Sequence, residues 1–533
     1  MRTSAKFTLL AAVAAVASGL TATAALGTQG HVAAAARQYT LTIRGVDRNG
    51  KRVAIEPTVF GATNGHDYLT YLSKVTVPAG QYVVAAPITA AADHGSQTLV
   101  AKVVRVRSNT TVTLSAVGAV PVRATLNVPA GVTQRNQSVM LCVKGAGHLN
   151  GVTGLLVPVG MSKGVITPGT VYVKPMTGSG LRFVYQTYWT EPSLLQVYDE
   201  AAAYNGGIPA HPSYSQRLGG LAHVNVELRA NENSAPLRNV IETYDGCGSL
   251  TLPEYNLPES YTDDRTPGTW LTGLAFGPSG TTITREIDKT SAYSAGLNYL
   301  DILGSAVEEP GAVYPVMNGS AITYAAGDFF ADPLQPGGRD CEGSGRETLA
   351  RGTATVSSGR VVLCGKNATF RAKGTRAGWY TLTVNLSRPP AAKSETLLSP
   401  AVSLTWRFYD KPSARGPEAA PVTVTEFSPE NLDSANNAKD GSTTTVQVAV
   451  RRGGGQKVAT PRYPLTSVQV QVSDNNGKTW RAVTLVKHGG SWLATIANPA
   501  GGGYVSLRSV VTDSHGNRTT ETVNRAYLVS NGQ

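Results

Sequence analysis

Val468-Gln-Val-Gln-Val472 runs into Ser473-Asp-Asn-Asn-Gly-Lys-Thr-Trp480. Apolar and polar residues alternate there with period two, which puts Val468, Val470 and Val472 on one face of a strand. Asn475, Asn476 and Gly477 supply side chains that tolerate positive φ in a tight reversal, and Trp480 anchors the returning strand. The pattern recurs at Trp492-Leu-Ala-Thr-Ile496 and Tyr504-Val-Ser-Leu507, closed by the turn Asp513-Ser-His-Gly-Asn517. Short antiparallel strands stacked within about a hundred residues predict a β-sandwich.

Working outward, a chain of 533 residues with 57 Gly, 30 Pro and 15% charged residues is too long for one core, and length suggests about three or four domains. A hydrophobic content of 41% suffices for packed cores. Residues 1–36 read as a signal peptide: Arg2 and Lys6, an apolar run Phe7 to Leu20, then small residues at Ala22-Thr-Ala24 and Ala34-Ala-Ala36, with cleavage after Ala24 or after Ala36. No later stretch approaches about 18 uninterrupted apolar residues, so a transmembrane segment is not expected and the chain is expected outside the cell. Cleavage removes two basic residues and no acidic one, taking the net charge from +12 to +10. Such a surface favours anionic wall polymers or acidic proteins. The Lys and Arg residues are scattered singly, without a basic run interleaved with aromatics, which argues against nucleic acid.

Cys142, Cys247, Cys341 and Cys364 form no Cys-x-x-Cys pair and have no His at zinc spacing. Outside the cell an even count points to two structural disulfides. Three pairings are open; nearest neighbours would join Cys341 to Cys364 and Cys142 to Cys247.

In chain order, 37–118 reads as a small sandwich opened by Gln38-Tyr-Thr-Leu-Thr-Ile-Arg44 and the turn Asp47-Arg-Asn-Gly50. A second β region, 119–250, carries Phe183, Tyr185, Tyr188 and Trp189. Tyr185, Tyr188 and Trp189 are candidates for stacking on sugar rings, although we prefer to place them in a sandwich core. A third β region, 251–411, holds Gly378-Trp-Tyr-Thr-Leu-Thr-Val384 and Trp406-Arg-Phe408. Residues 412–421 form a Pro-rich linker, and 422–533 the sandwich described first.

Several of these segments are recognisable together. Gly378-Trp-Tyr-Thr-Leu, Trp406-Arg-Phe408, Pro429-Glu-Asn-Leu-Asp433, Val472-Ser-Asp-Asn-Asn-Gly-Lys-Thr-Trp480, Thr512-Asp-Ser-His-Gly-Asn517 and Arg525-Ala-Tyr527 resemble the carboxy-terminal accessory region of large secreted bacterial subtilisin-like proteases. The Pro78-Ala-Gly80-Gln-Tyr82 punctuation resembles prealbumin-like modules. A subtilase needs a Ser in a Gly-Thr-Ser-Met-Ala-type segment, and none is present. The resemblance therefore implies an accessory half without the enzyme, with a role beside proteases.

Four segments are candidates for residual chemistry. Gly160-Met-Ser-Lys-Gly164 spells a nucleophile elbow, but Val165-Ile-Thr-Pro-Gly169 continues as strand and turn where an elbow needs a helix, so Ser162 is not expected to react. Asp93-His-Gly95 is expected to be a surface loop. Ser473-x-Asn-x-Gly-x-Thr-Trp480 is a single Asp-box, a hairpin device remote from catalysis. The acidic pairs Asp199-Glu200, Asp263-Asp264 and Glu308-Glu309 are the calcium candidates, but their spacing is not that of a calcium loop, and they are expected to be solvated. The expectation is an all-β chain of immunoglobulin-like and prealbumin-like sandwiches in series after a signal peptide. It is expected to be non-catalytic, with no cofactor and no metal, binding an extracellular protein or wall polymer. A sugar-binding lectin and a hydrolase whose site is invisible in sequence are the alternatives.

Overall fold

The computed structural model describes residues 37–530 apart from short interior stretches, the longer being 90–95, 230–236, 252–258, 277–284, 333–338, 364–368, 389–397 and 454–462. The described residues form strands and turns with a single short 3-10 turn, Leu218–Gly220, so the chain is all-β, as its alternation predicts. It divides into two compact units: 1–126, 134–188 and 201–215 in the first, and 127–133, 189–200 and 216–533 in the second.

In the first unit Gln38–Val46 pairs antiparallel with Lys74–Pro78 and parallel with Thr110–Ser115. Leu41 and Ile43 are buried while Arg44 points to solvent, the period-two pattern of a sheet covered on one side. The turn after this strand is fixed by Asp47, whose Oδ1 accepts the N–H groups of Asn49 (2.9 Å) and Lys51 (2.8 Å) around Gly50 at φ 82°. A second sheet orders Thr58–Gly61, Gly80–Thr89, Gln97–Val106, Val171–Val173 and Val120–Pro121. Both of its faces are covered. Val83, Ala85 and Leu99 pack toward Phe183 and Tyr185, whereas Tyr82, Val84 and Val100 pack toward Leu41 and Ile43. That three-layer arrangement explains why Gly80–Thr89 is an almost unbroken buried run. Because Val171–Val173 pairs in parallel with Gln97–Leu99, the expected boundary at 118 falls inside one sheet.

In the second unit the largest sheet orders Ala354–Val362, Ser344–Arg351, Gly378–Ser387, Ala401–Asp410, Arg518–Ser530, Gly503–Asp513, Leu465–Ser473 and Arg481–Val483. A four-stranded sheet of Thr423–Pro429, Thr443–Arg452, Ser491–Ala497 and Leu485–His488 joins it around a common core. Leu382, Leu404, Trp406, Phe427, Val446, Val470, Leu507 and Val523 fill that core. Trp406 is fully buried and donates its Nε1–H to the Thr423 carbonyl (2.9 Å), so its one polar atom is satisfied. The expected boundary at 411–422 is crossed here, since Ala401–Asp410 pairs antiparallel with Arg518–Ser530, and Glu418–Ala419 of the expected linker pairs with Val316–Met317. Likewise Leu237–Tyr244 pairs with Gly268–Phe276 across the expected boundary at 250. Alternation identifies strands but carries no information about which distant edge each one meets.

Candidate functional site

The residues singled out from sequence fall in different settings. Tyr185 is fully buried and stacks on Tyr214, with ring centroids 4.8 Å apart and planes within 3°. Tyr188 is also buried. These two are core residues, as preferred, and are not presented to sugar; only Trp189 is half-buried. The segment around Ser162 is a two-stranded hairpin, Met161–Ser162 against Val165–Ile166, rather than a strand turning into a helix. Asp93-His-Gly95 lies outside the described residues, as do Cys341 and Cys364. Cys142 and Cys247 are both disulfide-bonded.

The Asp-box hairpin forms as read. Ser473 Oγ accepts the Gly477 N–H (2.9 Å), Asn475 Oδ1 accepts the Thr479 N–H (2.9 Å), and Trp480 donates to the Gly477 carbonyl (3.0 Å). Asn476 and Gly477 take the positive φ values of 55° and 78° that the reversal requires. Its twin at Asp513 to Asn517 repeats the device, Asp513 Oδ1 accepting the N–H groups of His515 and Asn517.

The acidic pairs overturn their expectation. Asp199, Glu200, Asp263, Glu308 and Glu309 are buried to 1% exposure or less, and Asp264 to 7%. A carboxylate taken from water needs compensating partners. Glu308 pairs with Arg388, itself buried. Glu309 accepts the Phe427 N–H with both oxygens (3.0 and 3.1 Å), pinning the strand Thr423–Pro429. Asp264 faces His223 across the sheet and also accepts from Gln196 (3.2 Å).

Asp199 and Asp263 belong to a sealed centre with Glu242 and Arg265. The register places Asp199 directly across from Arg265 on parallel strands. Arg265 donates to Asp263 and to Glu242 Oε1 (2.7 Å), and through Nη1 to Thr272 (2.9 Å), while its guanidinium lies 5.4 Å from the Trp270 ring centre. Burial alone would lower the Arg265 pKa, but the charges of Asp263 and Glu242 outweigh it and hold the guanidinium above its usual range. Burial, reinforced by the neighbouring acids Asp263 and Glu242, pushes the Asp199 carboxyl well above the ordinary carboxylate range. Burial also raises Asp263 to about 7, against the opposing pull of Arg265. With every member at zero exposure, this centre does not offer its atoms to a substrate.

The outer face of the largest sheet is open. Side chains alternating with the buried core set point outward in rows that the register defines. One row reads Ala350, Thr381, Arg407, Arg518, Thr512 and Ser467; the next Ser358, Thr348, Thr383, Thr405, Thr520, Val510 and Gln469; the third Arg360, Arg346, Asn385, Ser403, Thr522, Arg508 and Gln471. All are exposed or half-exposed, and none of these positions is Asp or Glu. Arg346 lies directly opposite Arg360, and Arg407 opposite Arg518. Aromatic rings steady two of the guanidinium groups: Arg407 sits 4.0 Å from the Trp379 ring centre and Arg508 4.0 Å from that of Trp480. Arg508 also donates to Thr522 (3.1 Å), and Asn385 accepts from Ser403 (2.6 Å). Sequence inspection missed this face because its arginines come from five strands spread between residues 346 and 518. The outward half of each alternating strand was its only signal.

No family model and no curated protein matches the chain. Among solved structures, the Bacillus anthracis TIE protein is similar over 50% of this chain and 50% of its own, at 11% identity and a TM-score of 0.13. A Salmonella alpha-2-macroglobulin is similar over 89% of this chain at 9% identity and a TM-score of 0.18, and the chain spans 37% of it. The chicken CNTN1 FN1-FN3 domains are similar over 67% of this chain and 93% of theirs, at 9% identity and a TM-score of 0.14. The chain thus spans half or less of the first two. At these TM-scores and identities the neighbours assign no family to the chain and do not single out protease accessory regions; that it is built of several β-sheets follows from its own strand pairing. Among the described residues no helix is long and apolar enough to cross a membrane.

Proposed function

We propose that this chain is an exported, non-catalytic binding protein whose open sheet face engages an anionic polymer of the cell wall. The two Arg–Arg pairs set directly across neighbouring strands, with no acid in the rows around them, carry this reading. Like charges opposite one another disfavour the sheet by a few tenths of a kcal/mol, and an anionic ligand relieves that cost. Between the arginine rows runs a belt of threonine hydroxyls, which are both donors and acceptors and suit a polar polymer lying across the strands. Rows four residues apart are separated by roughly 13 Å along a strand. Export rests on the signal-like residues 1–36 and agrees with the disulfide-bonded Cys142 and Cys247. The resemblance to protease accessory regions adds a role beside a protease.

The test is retention of the purified chain on insoluble wall, intact and after acid extraction of its phosphate-bearing polymers. Soluble poly(glycerol phosphate), polygalacturonate and DNA serve as competitors, to separate phosphate from carboxylate chemistry. Retention is expected on intact wall, with loss in the double variant Arg360→Gln/Arg518→Gln. Equal retention of variant and native chain, or displacement by DNA alone, contradicts the proposal. Covalent labelling of Ser162 by a fluorophosphonate would overturn the non-catalytic half.

A further inference from the structure

We infer that Asp199, Glu242 and Asp263 hold a hard divalent cation, calcium by preference, inside the second unit. One ligand oxygen from each lies within 4.8 Å of the others, and all three residues are fully buried. Arg265 accounts for one oxygen of Glu242 and for Oδ2 of Asp263. Neither oxygen of Asp199, nor Oδ1 of Asp263, meets an N–H or O–H donor. Asp199 lies against the carboxyls of Asp263 and Glu242, to which it is joined only through a proton or a cation.

Charge and ligand number choose between those two. Three carboxylates and one guanidinium leave three minus one, or two, negative charges in a space closed to water. A single shared proton bridges one oxygen pair and leaves a net charge of minus one buried, which is costly; neutralising the centre without a cation takes two protons held on its carboxyls. A divalent cation neutralises the centre and takes one oxygen from each of the three carboxyls. Oxygen-only donors suit a hard cation better than zinc, which favours nitrogen and sulfur, and magnesium keeps several waters in a strict octahedron, whereas calcium accepts flexible geometry among six to eight oxygens, of which the three carboxyls supply part. The ligands come from the strands Gln196–Ile208, Leu237–Tyr244 and Glu259–Arg265, which belong to two sheets, so the ion would tie those sheets together as the chain folds. This inference is independent of the polymer-binding face.

The experiment uses the full chain, unfolded in guanidinium with EDTA and refolded with or without calcium chloride. Elemental analysis after gel filtration is expected to find one calcium per folded chain, and the guanidinium midpoint is expected to rise with calcium and not with the same concentration of magnesium. In Asp199→Asn the bound calcium and the calcium-dependent shift are both lost. Should that variant not fold, Asp263→Asn is read the same way, and the native chain's own calcium content decides alone. A native chain that refolds free of calcium to an unchanged midpoint overturns the inference. So does an Asp199→Asn chain that is more stable than native with and without calcium, because an amide replaces a shared proton as donor and not a cation.

Discussion

Glu347 shows at the scale of one residue what a strand pattern hides. It sits between Arg346 and Thr348 on Ser344–Arg351, but its side chain turns inward and is 3% exposed, with Oε2 lacking a hydrogen-bond partner. Burial raises its pKa from 4.5 to about 7. The folded chain then holds a proton more tightly than the unfolded one between pH 4.5 and about 7. Its contribution is fully present below 4.5 and is lost as pH rises through 7. The native chain is therefore expected to gain stability on this account when taken from pH 8 to pH 5, and Glu347→Gln to show less of that gain. Identical pH slopes for the two in denaturant titrations would show that Glu347 is not the titrating group. The same inward turning explains the missed carboxylate centre. Val197-Tyr-Asp-Glu-Ala201 is buried at successive positions, so both sides of the strand are covered and alternation no longer separates inside from outside.

At the scale of the element, what was legible is what local chemistry determines. The hairpins at Asp47, Asn475 and Asp513 close through side chain to backbone bonds within four residues, and those were readable from turn residues alone. The strand Ala401–Asp410 was readable too, with Val402, Leu404, Trp406 and Phe408 inward and Arg407 and Tyr409 outward. Its partners were not, since Gly378–Ser387 on one edge is near in sequence and Arg518–Ser530 on the other is more than a hundred residues away. Trp406 lies on the inward side of this junction. Its replacement by Ala is expected to cost about 3 to 5 kcal/mol in equilibrium unfolding, from the cavity and from the loss of its bond to Thr423. A loss under about 1 kcal/mol would place the indole outside the core.

At the scale of the whole molecule, segments that read as separate modules share sheets. Residues 344–410 and 465–530 build one sheet, so the outward half of each contributes to a single face that neither presents alone. This sharing is why the candidate binding surface was invisible to a reading made module by module, although the net charge of +12 was already on view. The face also separates binding from stability. Breaking its two like-charge pairs in Arg360→Gln/Arg518→Gln is expected to leave folding stability unchanged or higher by a few tenths of a kcal/mol, while weakening the ligand. The most direct measurement is the salt dependence of affinity for a soluble anionic wall polymer, native chain against that double variant. Each arginine that meets an anionic group adds to the steepness with which affinity falls as salt rises. A steep slope in the native chain and a shallower one in the variant, at equal stability, is the result predicted. The same slope in both, or no polymer binding by the folded native chain, would contradict it.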